Sequence, residues 1–121
     1  MTGFDYFKRF LQDEGFRPKE EDGFASFKFE GTSYFLVKNE SAFVQVVVVC
    51  NTEKYDRIKV LEVCNKLNAD KFVTKFVVND KTVWCSYEFI PSEHTSTDEY
   101  SMILSLLEKN SDELFQRLDQ A

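Results

Sequence analysis

His94 is the one histidine in 121 residues, and it sits in the polar stretch Pro91-Ser92-Glu93-His94-Thr95. An imidazole can serve as general base for a Ser or Cys nucleophile only when it is held rigid and oriented by a third group. A polar loop supplies neither. A single imidazole also falls short of a zinc site, which takes several N or S ligands. The three cysteines, Cys50, Cys64 and Cys85, are odd in number, far apart, and form no Cys-x-x-Cys. That spacing excludes a disulfide framework and a zinc knuckle. Each lies in an apolar stretch, where a thiol behaves as a small hydrophobe, and reduced thiols fit the cytoplasm.

Carboxylates come in pairs at Asp13-Glu14, Glu20-Glu21-Asp22, Asp98-Glu99 and Asp112-Glu113. Paired acids do acid/base work when burial separates their pKa values. Here they fall at helix ends and in loops, where solvated acids are the rule, and acids at a helix start suit the macrodipole. The chain has no Gly-rich phosphate cradle, no Gly-x-Ser-x-Gly and no His-Glu-x-x-His. The expectation is no catalytic residue, no metal and no cofactor. Tyr34, Tyr87 and Glu88 are the polar groups that would line a pocket, should a curved sheet capped by helices enclose one.

The elements that must position these residues follow from periodicity. Phe4, Phe7, Phe10 and Leu11 recur at helical spacing, with Gly15 as a stop, which predicts a helix over Thr2 to Glu14. Arg17 to Gly23 is polar and punctuated by Pro18 and Gly23, so it reads as a loop. Phe24 to Glu30 alternates and predicts a strand. Gly31-Thr32 is a turn, Ser33 to Lys38 a second strand, Asn39-Glu40-Ser41 another turn, and Ala42 to Cys50 a β-branched third strand. Short turns predict an antiparallel meander. Asn51-Thr52-Glu53 has the look of a helix start, and Ile58, Val60, Leu61, Val63, Cys64 and Leu67 give a broad apolar stripe to about Asn68. Lys71 to Val78 and Thr82 to Ile90 are two more strands joined by Asn79-Asp80-Lys81. Thr97 then caps a third helix, marked by Tyr100, Ile103, Leu104, Leu107, Leu114, Phe115 and Leu118, with Ser111 on the same stripe. The predicted order is α-β-β-β-α-β-β-α, an α+β fold with an antiparallel sheet packed with helices. The absence of a linker-like composition shift predicts a single domain over 1–121.

Strand parity separates two faces. Val44, Val46, Val48 and Cys50, then Phe72, Phe76 and Val78, then Val83, Cys85, Tyr87 and Phe89 belong under the helices. The opposite parity leaves Phe43, Val47, Val49, Val73, Val77 and Trp84, which is more apolar than a solvated face. Contiguous apolar surface of this kind marks an interaction site. Two readings stand: the third helix covers this face and makes it core, or these six residues bind a partner or a second copy.

Composition narrows the classes further. Fifteen Lys and Arg against 21 Asp and Glu leave a net charge of −6. A nucleic-acid binder needs a basic stripe, and the bases here are interleaved with acids, so neither nucleic acid nor an anionic membrane is expected as partner. The sheet aromatics admit an RNA-stacking platform, which the acidic balance and the order of elements oppose. The opening residues lack a charged segment followed by an apolar one, and no apolar run is long enough to span a bilayer. A cytoplasmic protein is expected.

Four segments carry a resemblance: Phe10-Leu11-x-x-Glu14-Gly15-Phe16-x-Pro18; Phe27-Lys28-Phe29-Glu30-Gly31-x-x-Tyr34-Phe35; Cys64-Asn65-x-x-Asn68-Ala69 with Lys75 following; and Val83-Trp84-Cys85-x-x-Glu88-Phe89. Together they resemble the YbjN-like family of bacterial proteins, described as candidate sensory transduction regulators, which shares the fold of type III secretion chaperones. The resemblance implies a small cytoplasmic bacterial protein with no established enzymatic activity. It also implies a chaperone-like or regulatory module that binds a protein partner or client peptide, with a homodimer among its states. An extended client would add to a strand edge, its side chains entering apolar pockets. The alternatives are a small-ligand-binding or enzymatic α+β domain, or an immunity or antitoxin-type protein.

Overall fold

The computed structural model describes residues 1–38, 41–71 and 73–120. Its elements are α1 (Gly3–Asp13), β1 (Lys19–Glu21), β2 (Phe24–Phe29), β3 (Thr32–Val37), β4 (Val44–Asn51), α2 (Arg57–Asp70), β5 (Thr74–Asn79), β6 (Thr82–Phe89) and α3 (Thr97–Gln120). The strands form one antiparallel sheet in the order β1-β2-β3-β4-β6-β5.

Local chemistry explains the ends of the elements. Thr2 and Asp5 close a capping box on α1: Thr2 Oγ1 accepts from the Asp5 N–H, and Asp5 Oδ2 accepts from the Thr2 N–H at 2.9 Å. The Thr2 N–H and the Thr2 hydroxyl, both donating to Asp5 Oδ2, hold the Asp5 carboxyl below the usual carboxylate range. The β2–β3 turn uses Glu30 and Gly31, both at positive φ, the backbone that a two-residue hairpin demands.

All three helices pack on one sheet face. Register rows show which residues they cover: Ala25–Leu36–Val46–Tyr87–Thr74, and beside it Phe27–Tyr34–Val48–Cys85–Phe76. These rows, with Phe7 and Leu11 of α1, Val63 and Leu67 of α2, and Ile103, Leu107 and Leu114 of α3, form one core. An aromatic knot ties α1 and α3 to β6. Phe10 stacks on Tyr100 at 4.7 Å between centroids, and Phe7 meets Tyr100 and Phe89 edge-on at 4.9 and 6.0 Å. The Tyr34 hydroxyl donates to Glu108 Oε2 at 2.8 Å and lies 3.2 Å from the Leu104 carbonyl. Burial, with the Glu108 carboxylate beside it, pushes that hydroxyl far above the usual tyrosine range.

Several expectations need correction. The loop expected over Arg17 to Gly23 contains β1, a three-residue edge strand whose exposed charges give no hydrophobic alternation to read. The first hairpin turns at Glu30-Gly31 instead of Gly31-Thr32. Asn51-Thr52-Glu53 does not start α2. Asn51 ends β4, and its Oδ1 takes the Glu53 N–H at 3.0 Å in a local turn, while Asp56 caps the helix. The same side-chain chemistry serves a turn and a cap. Ile58 and Leu61 leave the expected stripe and stand exposed, because α2 docks through Val60, Val63, Cys64 and Leu67. Ser96 caps α3 by accepting the Glu99 N–H, one residue before the expected Thr97. The fourth predicted strand begins at Thr74 rather than Lys71. Phe72, assigned to the helix side, and Asn39 and Glu40 of the second turn lie outside the described residues.

Gly3 yields a prediction that reverses helix propensity. A Cβ there would lie 2.4 Å from the Ala42 carbonyl oxygen and 2.9 Å from the Phe43 backbone. Alanine is the better helix former by about 1 kcal/mol, but overpacking against backbone costs about 1–3 kcal/mol. Gly3→Ala is expected to lower the denaturant midpoint at unchanged m-value. A raised midpoint would show that α1 shifts freely away from the start of β4.

Candidate functional site

The face opposite the helices is built from the other strand parity. Its rows run Phe24–Val37–Gln45–Glu88, then Ser26–Phe35–Val47–Ser86–Lys75, then Val49–Trp84–Val77. No described helix packs on it. Of the six residues assigned to this surface from sequence, Val49, Trp84, Val77, Phe43 and Val73 are 38, 40, 42, 51 and 55 % exposed, whereas Val47 is 2 % exposed. Val49, Trp84 and Val77 are neighbours in one row, next to Val47. Phe43 precedes β4 and Val73 precedes β5, so both lie at the margins.

Val47 is hidden by its sheet neighbours rather than by α3. Phe35 and Ser86 flank it in register, and Phe24 meets Phe35 edge-on at 5.6 Å. Together with Val37, Val49, Gln45 and Trp84 these side chains line a shallow hollow of about 410 Å³. Phe24, Phe35 and Val37 were missed by sequence reasoning, which followed the second face only along the later strands. Carrying the same alternation into the first hairpin would have found them. The rim is polar and nearly balanced in charge. Lys75 and Glu88 pair at 3.2 Å on one flank, and Lys19 and Glu21 pair at 3.4 Å on β1. The arrangement offers an apolar floor and little fixed charge, which suits apolar side chains and gives no anchor for a phosphate.

Two solved structures share this architecture. YbjN from E. coli, described as a candidate transcription regulator, superposes with a TM-score of 0.64 at 11% identity over 97% of this chain and 90% of that one. A chain of the ExsC–ExsE complex superposes with a TM-score of 0.73 at 13% identity over 98% of this chain and 97% of that one. The chain has the fold of YbjN and the type III secretion chaperones. No family model and no curated protein matches the sequence. Neither structural neighbour is described as an enzyme.

Within this chaperone-like fold the residues with chemical potential are dispersed. Tyr34 and Tyr87 lie on the helix side of the sheet and Glu88 on the open side, so the three form no common pocket. Cys50, Cys64 and Cys85 are buried as free thiols, and desolvation pushes Cys50 up to about 12 and Cys64 up to about 11. Such thiols stay protonated and pack as hydrophobes. Glu20 and Glu113 of the paired runs are held in ion pairs. Glu20 meets Lys8 at 2.7 Å, and Glu113 meets Lys71 at 2.9 Å and Arg117 at 2.8 Å. The Lys71 hydrogen bond, with Lys71 and Arg117 nearby, holds Glu113 below the usual range. His94 is exposed beside Glu93. Among the described residues no group of three His, Cys, Asp or Glu is placed to hold a metal. No helix among them is long and apolar enough to cross a membrane.

Proposed function

We propose that this chain is a non-catalytic protein-interaction module, chaperone-like or regulatory, acting as one unit in the bacterial cytoplasm. Its open sheet face takes apolar side chains of a protein partner or client peptide. The observation that carries the reading is the row Val49–Trp84–Val77 beside the Val47 hollow, exposed on a sheet whose other face is fully built into the core. Exposed apolar area of this extent marks an interaction surface. Phe43 and Val73 extend it at the margins, and Val47 is its floor. One structural neighbour is itself a two-protein complex, which is the kind of assembly proposed here. The acidic balance favours neutral or basic protein partners over nucleic acid or anionic lipid. A second copy of the chain is a further occupant of the same face.

Trp84 is the only tryptophan and lies on that face, so its fluorescence reports occupation directly. The test compares tagged wild-type protein with Val49→Lys in native lysate. Wild type is expected to retain a partner in stoichiometric amount, or to dimerise, with a blue-shifted Trp84 emission in the complex. Val49→Lys is expected to lose both while melting like wild type. Equal recovery by both proteins, or a Trp84 emission indifferent to the bound partner, would refute the assignment.

A further inference from the structure

The sheet ends at β1 and β5. An edge strand presents unpaired N–H and C=O groups, a template on which another strand can add. The two edges are handled differently. β1 is only three residues long, all exposed and charged, and its Glu20 is tied to Lys8 at 2.7 Å and to Lys38 at 3.6 Å. Short charged edges resist pairing. β5 is twice as long and carries a single charge, Lys75, and its Phe76-Val77-Val78 run is β-prone and free of proline.

Asn68, in the last turn of α2, reaches this edge. Its Oδ1 accepts the Phe76 N–H at 2.8 Å, and its Nδ2 donates to the Phe76 carbonyl at 2.9 Å. One side-chain amide thus makes both hydrogen bonds that a residue of a neighbouring antiparallel strand would make. Phe76 lies in the middle of the six-residue strand. By alternation Thr74 and Val78 turn their backbone groups the same way, so the clamp interrupts the edge at its centre. A pairing strand would have to displace it before forming a continuous ladder.

We propose that Asn68 is a gate residue that closes the free edge of β5 against strand addition, whether by a second copy of this chain or by an extended segment of another protein. The inference does not depend on what the open face binds, since the edge and the face are separate surfaces. It bears on the expectation that a client adds to a strand edge: at β5 such a client would first have to displace the Asn68 amide.

Native-state hydrogen exchange on the wild type gives the first test. The Phe76 amide is expected to exchange about tenfold more slowly than that of Val78, which the Asn68 amide does not reach; Thr74 is buried against Asn110 and is no reference. Asn68→Ala is the second test. It is expected to shift mass, measured by light scattering, to a higher and concentration-dependent state than wild type. Adding Val78→Pro, which deletes an outward N–H without touching the ladder to β6, is expected to restore the wild-type mass. Should Asn68→Ala fail to fold, the wild-type exchange measurement decides alone. The proposal is overturned by a Phe76 amide as labile as that of Val78. It is overturned equally by a folded Asn68→Ala protein of unchanged mass, or by association that Val78→Pro leaves intact.

Discussion

Phe7→Ala is expected to lower the thermal midpoint by roughly 10–20 °C and to leave little margin of stability at 37 °C. Phe7 has no solvent exposure and stands where α1, α3 and β6 meet, edge-on to Phe10, Phe89 and Tyr100. Truncation removes the transfer energy of a phenyl ring and leaves a cavity that three surrounding rings cannot fill without leaving their rotamers. The cost of such a change is about 3–5 kcal/mol, against a total of about 5–15 kcal/mol for a whole domain. Circular dichroism melting against wild type provides the measurement. A shift under about 3 °C would mean that the aromatic knot repacks and does not hold α1 to the sheet. Trp84→Ala is the matched contrast: a larger side chain is removed from the open face, and little stability is expected to go with it.

Asn110 and Thr74 form the second sensitive point. Both are buried, and Asn110 Nδ2 donates to Thr74 Oγ1 at 2.7 Å, joining the middle of α3 to the start of β5. Asn110→Leu strands the threonine hydroxyl, and Thr74→Val strands the amide. Each single change is expected to cost about 1–3 kcal/mol, the penalty for a buried polar group without its partner. The double variant removes both polar groups at similar volume and is expected to cost less than the sum of the two. A coupling energy of about 1 kcal/mol or more in the chemical-denaturation cycle would establish the pair. Additive losses would show that each residue acts through packing alone.

Both points show where sequence reading succeeds and where it stops. Phe7 was legible as a core residue because Phe4, Phe7, Phe10 and Leu11 repeat at helical spacing, and periodicity is a one-dimensional property. The faces of β4 and β6 were legible for the same reason at period two. Asn110 was not, since a polar residue between Leu107 and Leu114 carries no mark of its partner 36 positions away. Asn68 could be read only as a helix-end asparagine. That it clamps Phe76 depends on how α2 is laid along β5. Asn51 and Asp56 offer the same capping oxygen, and only the length of β4 settles which of them starts the helix.

The three helices and five of the six strands in their order, the antiparallel hairpins, the helix-side core and the apolar character of the second sheet face were determined by the sequence alone, because each follows from spacing between near neighbours; β1 was not, its charged residues carrying no alternation. Tertiary structure alone decided that α3 lies on the same side as α1 and α2, so that Val49, Val77 and Trp84 stand uncovered. Two apolar faces and one long amphipathic helix are compatible with either arrangement. The choice is made by contacts between residues far apart in the chain, such as Tyr34 with Glu108 and Phe7 with Tyr100, which no local pattern encodes.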